Sequence, residues 1–134
     1  MIKGTGADVL EKQRIERLFY SYGKKFVRRI LTDKEIKELD KKNNDIKKIS
    51  YLSNNFACKE ALSKALGLGF SEGITYKDLE ILRDKKGAPK INLSERANNK
   101  AQNLGFSKFF VSISDTQKLT FAIVVGEGKW ELFY

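Results

Sequence analysis

The chain has 134 residues, 41% hydrophobic and 32% charged, with one proline, a size and balance that predict a single folded domain over residues 1–134 and exclude a disordered chain. The longest unbroken apolar run, residues 121–125, falls far short of the roughly 20 needed to cross a bilayer, so no membrane partner is expected. Residues 1–6 lack the charge and apolar succession of an export signal, which predicts a cytoplasmic protein. Cys58 is the single cysteine and histidine is absent, which excludes an internal disulfide, paired-cysteine zinc or redox sites, and every nucleophile system built on imidazole. Acid–base chemistry is thereby left to carboxylates, lysine or metal-bound water. The formal net charge is +9, and residues 1–49 hold 14 of the 26 basic and 8 of the 17 acidic side chains. The surface should therefore attract something anionic.

In chain order, residues 2–10 mix β-branched residues with two glycines and predict a first strand with Asp8 near its end. Ile15, Leu18, Phe19 and Tyr22 follow helical spacing over residues 11–22, and Gly23 is placed to stop that helix. A short helix over residues 25–31 follows. Thr32 and Glu35 have capping-box spacing and open another helix to about Leu39. The polar residues 40–48 read as a loop. A long helix should then run from Ile49 or Ser53 to Leu66, stopped by Gly67. Residues 75–76, 79–82 and 90–93 read as short strands, with Lys86-Gly87 as the turn between the last two. Ser94 caps a helix to about Leu104. Residues 108–114 and 119–125 form a hairpin turned at 115–118. The expected class is α+β: an N-terminal strand and helices with a long central helix packed on a mainly antiparallel sheet.

Three places hold candidate chemistry. Gly4-Thr5-Gly6 resembles the start of a dinucleotide loop, but Val9 stands where the third glycine is required, and two glycines in a strand more often mark close approach of another backbone. Glu60 and Lys64 are spaced i,i+4 on one helix face. They form either a solvated pair or a hard-cation ligand beside a phosphate ligand, and spacing leaves both open. Ser112-Ile113-Ser114-Asp115-Thr116 ends a strand in hydroxyls and a carboxylate, which suits a turn or a phosphate site. Cys58 reads as a small buried filler.

Together these segments resemble the small bacterial 4'-phosphopantetheinyl transferases, the holo-acyl-carrier-protein synthase family. Three blocks carry the resemblance: residues 2–9 with Arg14-Ile15 and the later Phe26, Arg29–Thr32 and Glu35; Phe56-Ala57-Cys58-Lys59-Glu60-Ala61 with Lys64-Ala65-Leu66-Gly67-Leu68-Gly69; and Ser112-Ile113-Ser114, preceded by Asp78-Leu79-Glu80 and Gly87-Ala88-Pro89. The resemblance implies transfer of the phosphopantetheine arm from coenzyme A to a serine of apo acyl carrier protein, releasing adenosine 3',5'-bisphosphate, for fatty acid synthesis. It implies Asp8 and Glu60 as Mg2+ ligands and Lys64 as the group that steadies the pyrophosphate, with Glu60 or metal-bound water as the base. Asn55, Lys59, Lys64, Gly67, Pro89, Ser114 and Asp115 are the expected coenzyme A contacts. Arg14, Leu18, Tyr22 and Phe26 are the expected docking face for the carrier, with Lys24, Lys25 and Arg28 adding steering.

It further implies a homotrimer with active sites between subunits, using strand residues such as Phe109, Val111, Phe121 and Ile123 for the core or for subunit contact. The tail Lys129-Trp130-Glu131-Leu132-Phe133-Tyr134 is expected to pack on a neighbour or close the core. Two departures stand out: Asn55 where many relatives have arginine, and Asp115 where many have histidine. Either nucleotide affinity is expected to be weaker or nearby lysines such as Lys59 carry it. The alternatives are a carrier-binding protein without catalysis and, from the charge alone, a nucleic-acid-binding module, for which no recognised motif is present.

Overall fold

The computed structural model describes residues 1–129. In chain order they form β1 (Ile2–Glu11), α1 (Lys12–Tyr22), α2 (Lys24–Ile30), α3 (Asp33–Asp40), α4 (Asp45–Leu66), β2 (Leu79–Arg83), β3 (Pro89–Leu93), α5 (Glu95–Asn103), β4 (Phe106–Asp115) and β5 (Leu119–Gly128). The α+β expectation holds. β1, β5 and β4 make a three-stranded antiparallel sheet in that order, and β2 pairs with β3 in a separate ribbon.

The long helix α4 is the axis of the fold. It is buried round most of its circumference, enclosing the apolar Leu52, Phe56, Ala57, Cys58, Ala61, Leu62, Ala65 and Leu66 together with polar Ser53, Asn55, Lys59 and Ser63. One side lies on β1 and β5, where the inward residues Leu10, Ala122 and Val124 join the core. Gly4 and Gly6 explain how closely β1 approaches. A Cβ at Gly6 would lie 1.9 Å from the Ala61 carbonyl oxygen, and one at Gly4 2.1 Å from that of Ala65. The glycines are therefore crowding relief inside a strand, as expected, and β1 crosses α4 where any larger side chain would push it away.

Several boundaries differ from expectation. Residues 40–48 are not a loop throughout: α3 includes Asp40, and α4 begins at Asp45 because Asn44 caps it, its side chain accepting from Lys47 N at 2.9 Å. Polar first turns carry no apolar period, so the cap was the readable signal. Tyr76 opens a 3-10 turn, Tyr76–Asp78, rather than a strand, because Asp78 folds back to accept from the Thr75 backbone N–H at 2.7 Å. The Thr32–Glu35 capping box is present with both hydrogen bonds. Gly87 adopts a positive φ of 86° in the β2–β3 turn. Of the expected tail, Trp130 to Tyr134 lie outside the described residues.

Candidate functional site

The crossing of β1 over α4 places the principal candidates together. Inward positions on β1 alternate as Gly4, Gly6, Asp8 and Leu10, so Asp8 follows the two glycines onto the helix side of the strand. Lys64, one turn beyond Glu60 on α4, donates to Asp8 Oδ1 at 3.2 Å and to the Ala7 carbonyl at 3.0 Å. The Lys64 side chain keeps about half its exposure and that of Asp8 about a sixth, an ion pair reachable by a solute and weak as a stabiliser. Glu60 is half-buried on the preceding turn, and its Oε1 accepts from the Tyr76 hydroxyl at 2.7 Å. Burial, reinforced by the hydrogen bond to Glu60, pushes the Tyr76 phenol pKa up, so that group is a fixed donor.

Two partly exposed carboxylates beside an ammonium fit a Mg2+ ion shared with a phosphate. Mg2+ binds through one or two carboxylates and keeps its other positions for water and phosphate oxygen. No group of three His, Cys, Asp or Glu side chains suited to a metal occurs among the described residues, so an ion held by Asp8 and Glu60 would keep most of its positions for water and phosphate oxygen.

The remaining candidates fall elsewhere. Gly67 ends α4 in the left-handed conformation at φ 73°, just beyond Lys64. Ser114 and Asp115 close β4, both exposed. Asp115 Oδ2 is 2.7 Å from Lys12 Nζ, which also donates to Ser50 Oγ at 3.1 Å. Ser50 and Lys64 are fourteen residues apart on α4, or roughly 21 Å at 1.5 Å per residue. Within one chain, Asp115 and Lys64 thus mark opposite ends of the helix. Pro89 begins β3, paired with Arg83.

Lys59 is a correction. It is fully buried, and its Nζ donates to Glu35 Oε1 at 2.7 Å, the Ile30 carbonyl at 2.6 Å and the Tyr76 carbonyl at 3.0 Å. Three acceptors use all three donors of an ammonium, leaving nothing for coenzyme A. Burial pulls its pKa down and the Glu35 carboxylate opposes that pull. Asn55 is a second correction: also fully buried, it donates to Glu35 Oε2 and the Ile81 carbonyl, and its Oδ1 accepts from Arg83 Nη2 at 2.7 Å.

Among the docking candidates, Arg14 and Tyr22 are exposed and Leu18 is half-buried against the core. The Arg14 guanidinium lies 5.6 Å from the Phe56 ring centroid. Phe26 is corrected: α2 turns it into the core, so it supports the face from beneath. Cys58 is buried, and burial pushes its thiol up to about 12, consistent with inert filler.

Three residues with roles here escaped the sequence reading. Tyr76 sat in a stretch read as a strand. Lys12 was hidden among many lysines, and its partner lies 103 residues away. Arg83 lines a 260 Å³ recess with Lys42, Lys47, Ser50, Tyr51 and Asn54, cations that only the fold collects.

A family model described as the 4'-phosphopantetheinyl transferase superfamily matches residues 4–124. The chain is 39% identical over 127 residues to a holo-[acyl-carrier-protein] synthase of Maridesulfovibrio salexigens, covering 95% of this chain and 99% of that one. The crystal structure of the holo-[acyl-carrier-protein] synthase from Neisseria meningitidis is similar at a TM-score of 0.87 and 32% identity, over 95% of this chain and 99% of that one. That from Helicobacter pylori, in complex with coenzyme A, gives a TM-score of 0.78 at 31% identity, over 92% and 99%. With the β1–α4 crossing that assembles Asp8, Glu60 and Lys64, these matches make the chain a member of the 4'-phosphopantetheinyl transferase superfamily.

Proposed function

We propose that this chain, acting as one domain over residues 1–134 in the cytoplasm, is a Mg2+-dependent holo-[acyl-carrier-protein] synthase that serves fatty acid synthesis. The carrier serine gives up its hydroxyl proton to a base at the site, Glu60 or a water, and its oxygen bonds to the β-phosphorus of coenzyme A as the bond from that phosphorus to the bridging oxygen breaks. Phosphopantetheine stays on the serine and adenosine 3',5'-bisphosphate leaves. The observation that carries the reading is the convergence at one crossing of Lys64 with Asp8, and of Glu60 one turn away.

The pyrophosphate carries its charge through the reaction, so neutralising and positioning it dominate catalysis. Bound between Asp8 and Glu60, Mg2+ would neutralise phosphate charge and polarise the reacting phosphorus. Lys64 supplies a mobile, exposed ammonium able to move from Asp8 to a phosphate oxygen as charge builds on the leaving group. Gly67, past the helix end, leaves room beside it. Arg14 and Tyr22 on α1 present a cation and an exposed ring to the acidic carrier, with Lys24, Lys25 and Arg28 for steering.

The separation of Lys64 from Asp115 along α4 supports coenzyme A sites shared between subunits of a homotrimer, one copy contributing the Asp8–Glu60–Lys64 end and a neighbour the Ser114–Asp115 end. The face for such contact is the outside of the sheet, where Val9 (63% exposed), Phe110 (46%), Phe121 (40%) and Ile123 (38%) alternate with the buried inward residues. Phe109 and Val111 instead pack against the core. Exposed apolar side chains grouped on one sheet face are the mark of a protein contact.

The test is incubation of the purified protein with coenzyme A and apo acyl carrier protein, with and without Mg2+, reading carrier mass. A Mg2+-dependent phosphopantetheine increment, lost in Asp8→Ala and Glu60→Ala, supports the reading. A folded protein that binds apo carrier without ever modifying it overturns catalysis in favour of carrier binding alone. Sedimentation of Phe121→Glu against the parent tests the trimer.

A further inference from the structure

Tyr76 is held at three points, and its hydroxyl ends on the site. Its ring stacks on Phe70, with centroids 4.0 Å apart at 26°, and on Phe56, 5.3 Å apart at 24°. Its carbonyl accepts from the buried Lys59 ammonium at 3.0 Å, itself locked by Glu35. The turn that it opens is closed by the reciprocal Thr75–Asp78 hydrogen bonds. A side chain restrained at ring, backbone and turn has little freedom left for its hydroxyl, which reaches Glu60 Oε1 at 2.7 Å.

Glutamate is a long side chain that loses rotamer freedom when ordered. On an exposed helix face, a cation binding it would have to supply that ordering. Here one carboxylate oxygen is already tied to a rigid donor, while the residue is only partly buried. We propose that Tyr76 is a positioning residue for the divalent-cation site: its O–H fixes Glu60 through Oε1 and leaves the second oxygen for the cation. This rests on the reading of Asp8 and Glu60 as the cation-binding pair. Hydrogen-bonded partners of ligating carboxylates typically alter metal affinity by about 10–100-fold when removed, because they set the ligand's orientation rather than its charge.

The sequence also explains why Lys59 and Glu60 are adjacent. Consecutive helical residues point about 100° apart, so Lys59 enters the core and grips the Tyr76 carbonyl while Glu60 faces out and meets the Tyr76 hydroxyl. Two neighbouring side chains of α4 hold opposite ends of one tyrosine.

Tyr76→Phe keeps the ring and its stacking and removes only the O–H. The experiment titrates Mn2+ into the protein with coenzyme A and no carrier, reading free Mn2+ by electron paramagnetic resonance, for the parent, Tyr76→Phe and Glu60→Gln, with melting curves for each. The expected result is a Mn2+ dissociation constant raised by about 10–100-fold in Tyr76→Phe at an unchanged melting temperature. In turnover, the Mg2+ concentration for half-maximal rate should rise while the rate at saturating Mg2+ and the KM for carrier hold. If Tyr76→Phe binds Mn2+ as the parent does while Glu60→Gln does not, Tyr76 only packs and the proposal falls, with the cation reading intact. If Glu60→Gln also binds Mn2+ as the parent does, the cation reading fails and takes the proposal with it.

Discussion

Asp115 Oδ2 sits 2.7 Å from Lys12 Nζ, so this carboxylate at the end of β4 is neutralised by its own chain. An unpaired carboxylate would repel a phosphate brought beside it; a lysine-paired one repels it far less. Ser50 Oγ shares the same ammonium at 3.1 Å, fixing the end of β4 to the beginnings of α1 and α4. Lys12→Met should raise the KM for coenzyme A by roughly fivefold, the equivalent of about 1 kcal/mol for a partly exposed charge. The double variant Lys12→Met with Asp115→Asn should recover most of that loss. Initial rates over a coenzyme A series at fixed carrier check both.

Glu35 and Lys59 should govern stability rather than substrate affinity. The pair is fully buried, and Glu35 also accepts from Asn55 and from the backbone N–H groups of Thr32 and Ile81. Removing one partner strands the other charge in the core, at a cost of about 3–5 kcal/mol. Lys59→Met and Glu35→Gln should each lower the urea midpoint sharply. A normal midpoint in Lys59→Met with a raised KM for coenzyme A would instead make Lys59 a ligand.

Arg83 supplies the guanidinium that contacts Asn55. Its Nη2 binds Asn55 Oδ1, its guanidinium lies 5.3 Å from the Tyr51 centroid, and its Nη1 is buried with no hydrogen-bond partner among the described residues. With Lys42 and Lys47 it lines the recess beside Ser50. Arg83→Met should raise the KM for coenzyme A by about tenfold, the loss of one charge-assisted contact, and leave the KM for carrier unchanged. Calorimetric titration of adenosine 3',5'-bisphosphate gives an independent reading.

Asp78 sets an acid limit. Burial raises its pKa, but the Arg96 guanidinium, the Thr75 N–H and hydroxyl and the Ser94 hydroxyl outweigh burial and hold it at about 2, below the ordinary 3.8. A carboxyl depressed on folding stabilises the fold fully above its unfolded pKa and loses that contribution as pH falls through the folded one. Stability should therefore decline between pH 3.8 and about 2, and Asp78→Asn should flatten that limb in urea melts at a series of pH values.

Features set by neighbours in sequence were the readable ones. Glu60 and Lys64 share a face at i,i+4, Thr32 and Glu35 have capping spacing, and Gly4 and Gly6 mark the crossing; each is visible over a few residues. Which of two nearby lysines enters the core depends on how α4 is rotated against α2 and α3, and Glu35 is 24 residues from Lys59. The capping spacing identified Glu35 only as half of a helix cap, whereas the fold also makes it the counterion of Lys59. The resemblance put Phe26 on the docking face, and the angle of α2 that buries it is a tertiary outcome. Asp8 and Glu60 emerged through resemblance; the contact of Asp8 with Lys64, one turn from Glu60, needs the strand laid over the helix.

The strand order has a consequence for synthesis. Among the described residues β1 pairs only with β5 in its sheet, so this strand has no strand partner until the last described one leaves the ribosome. At about 5–20 residues per second that interval is on the order of ten seconds. Over that time a strand with open backbone groups and the apolar Ile2, Val9 and Leu10 is unpaired, and Asp8 waits in it although α4, with Glu60 and Lys64, is already complete. The nascent chain should therefore be most vulnerable to aggregation and proteolysis just before β5 emerges, and chaperone dependence should track truncation within β5 more steeply than truncation in the β2–β3 ribbon.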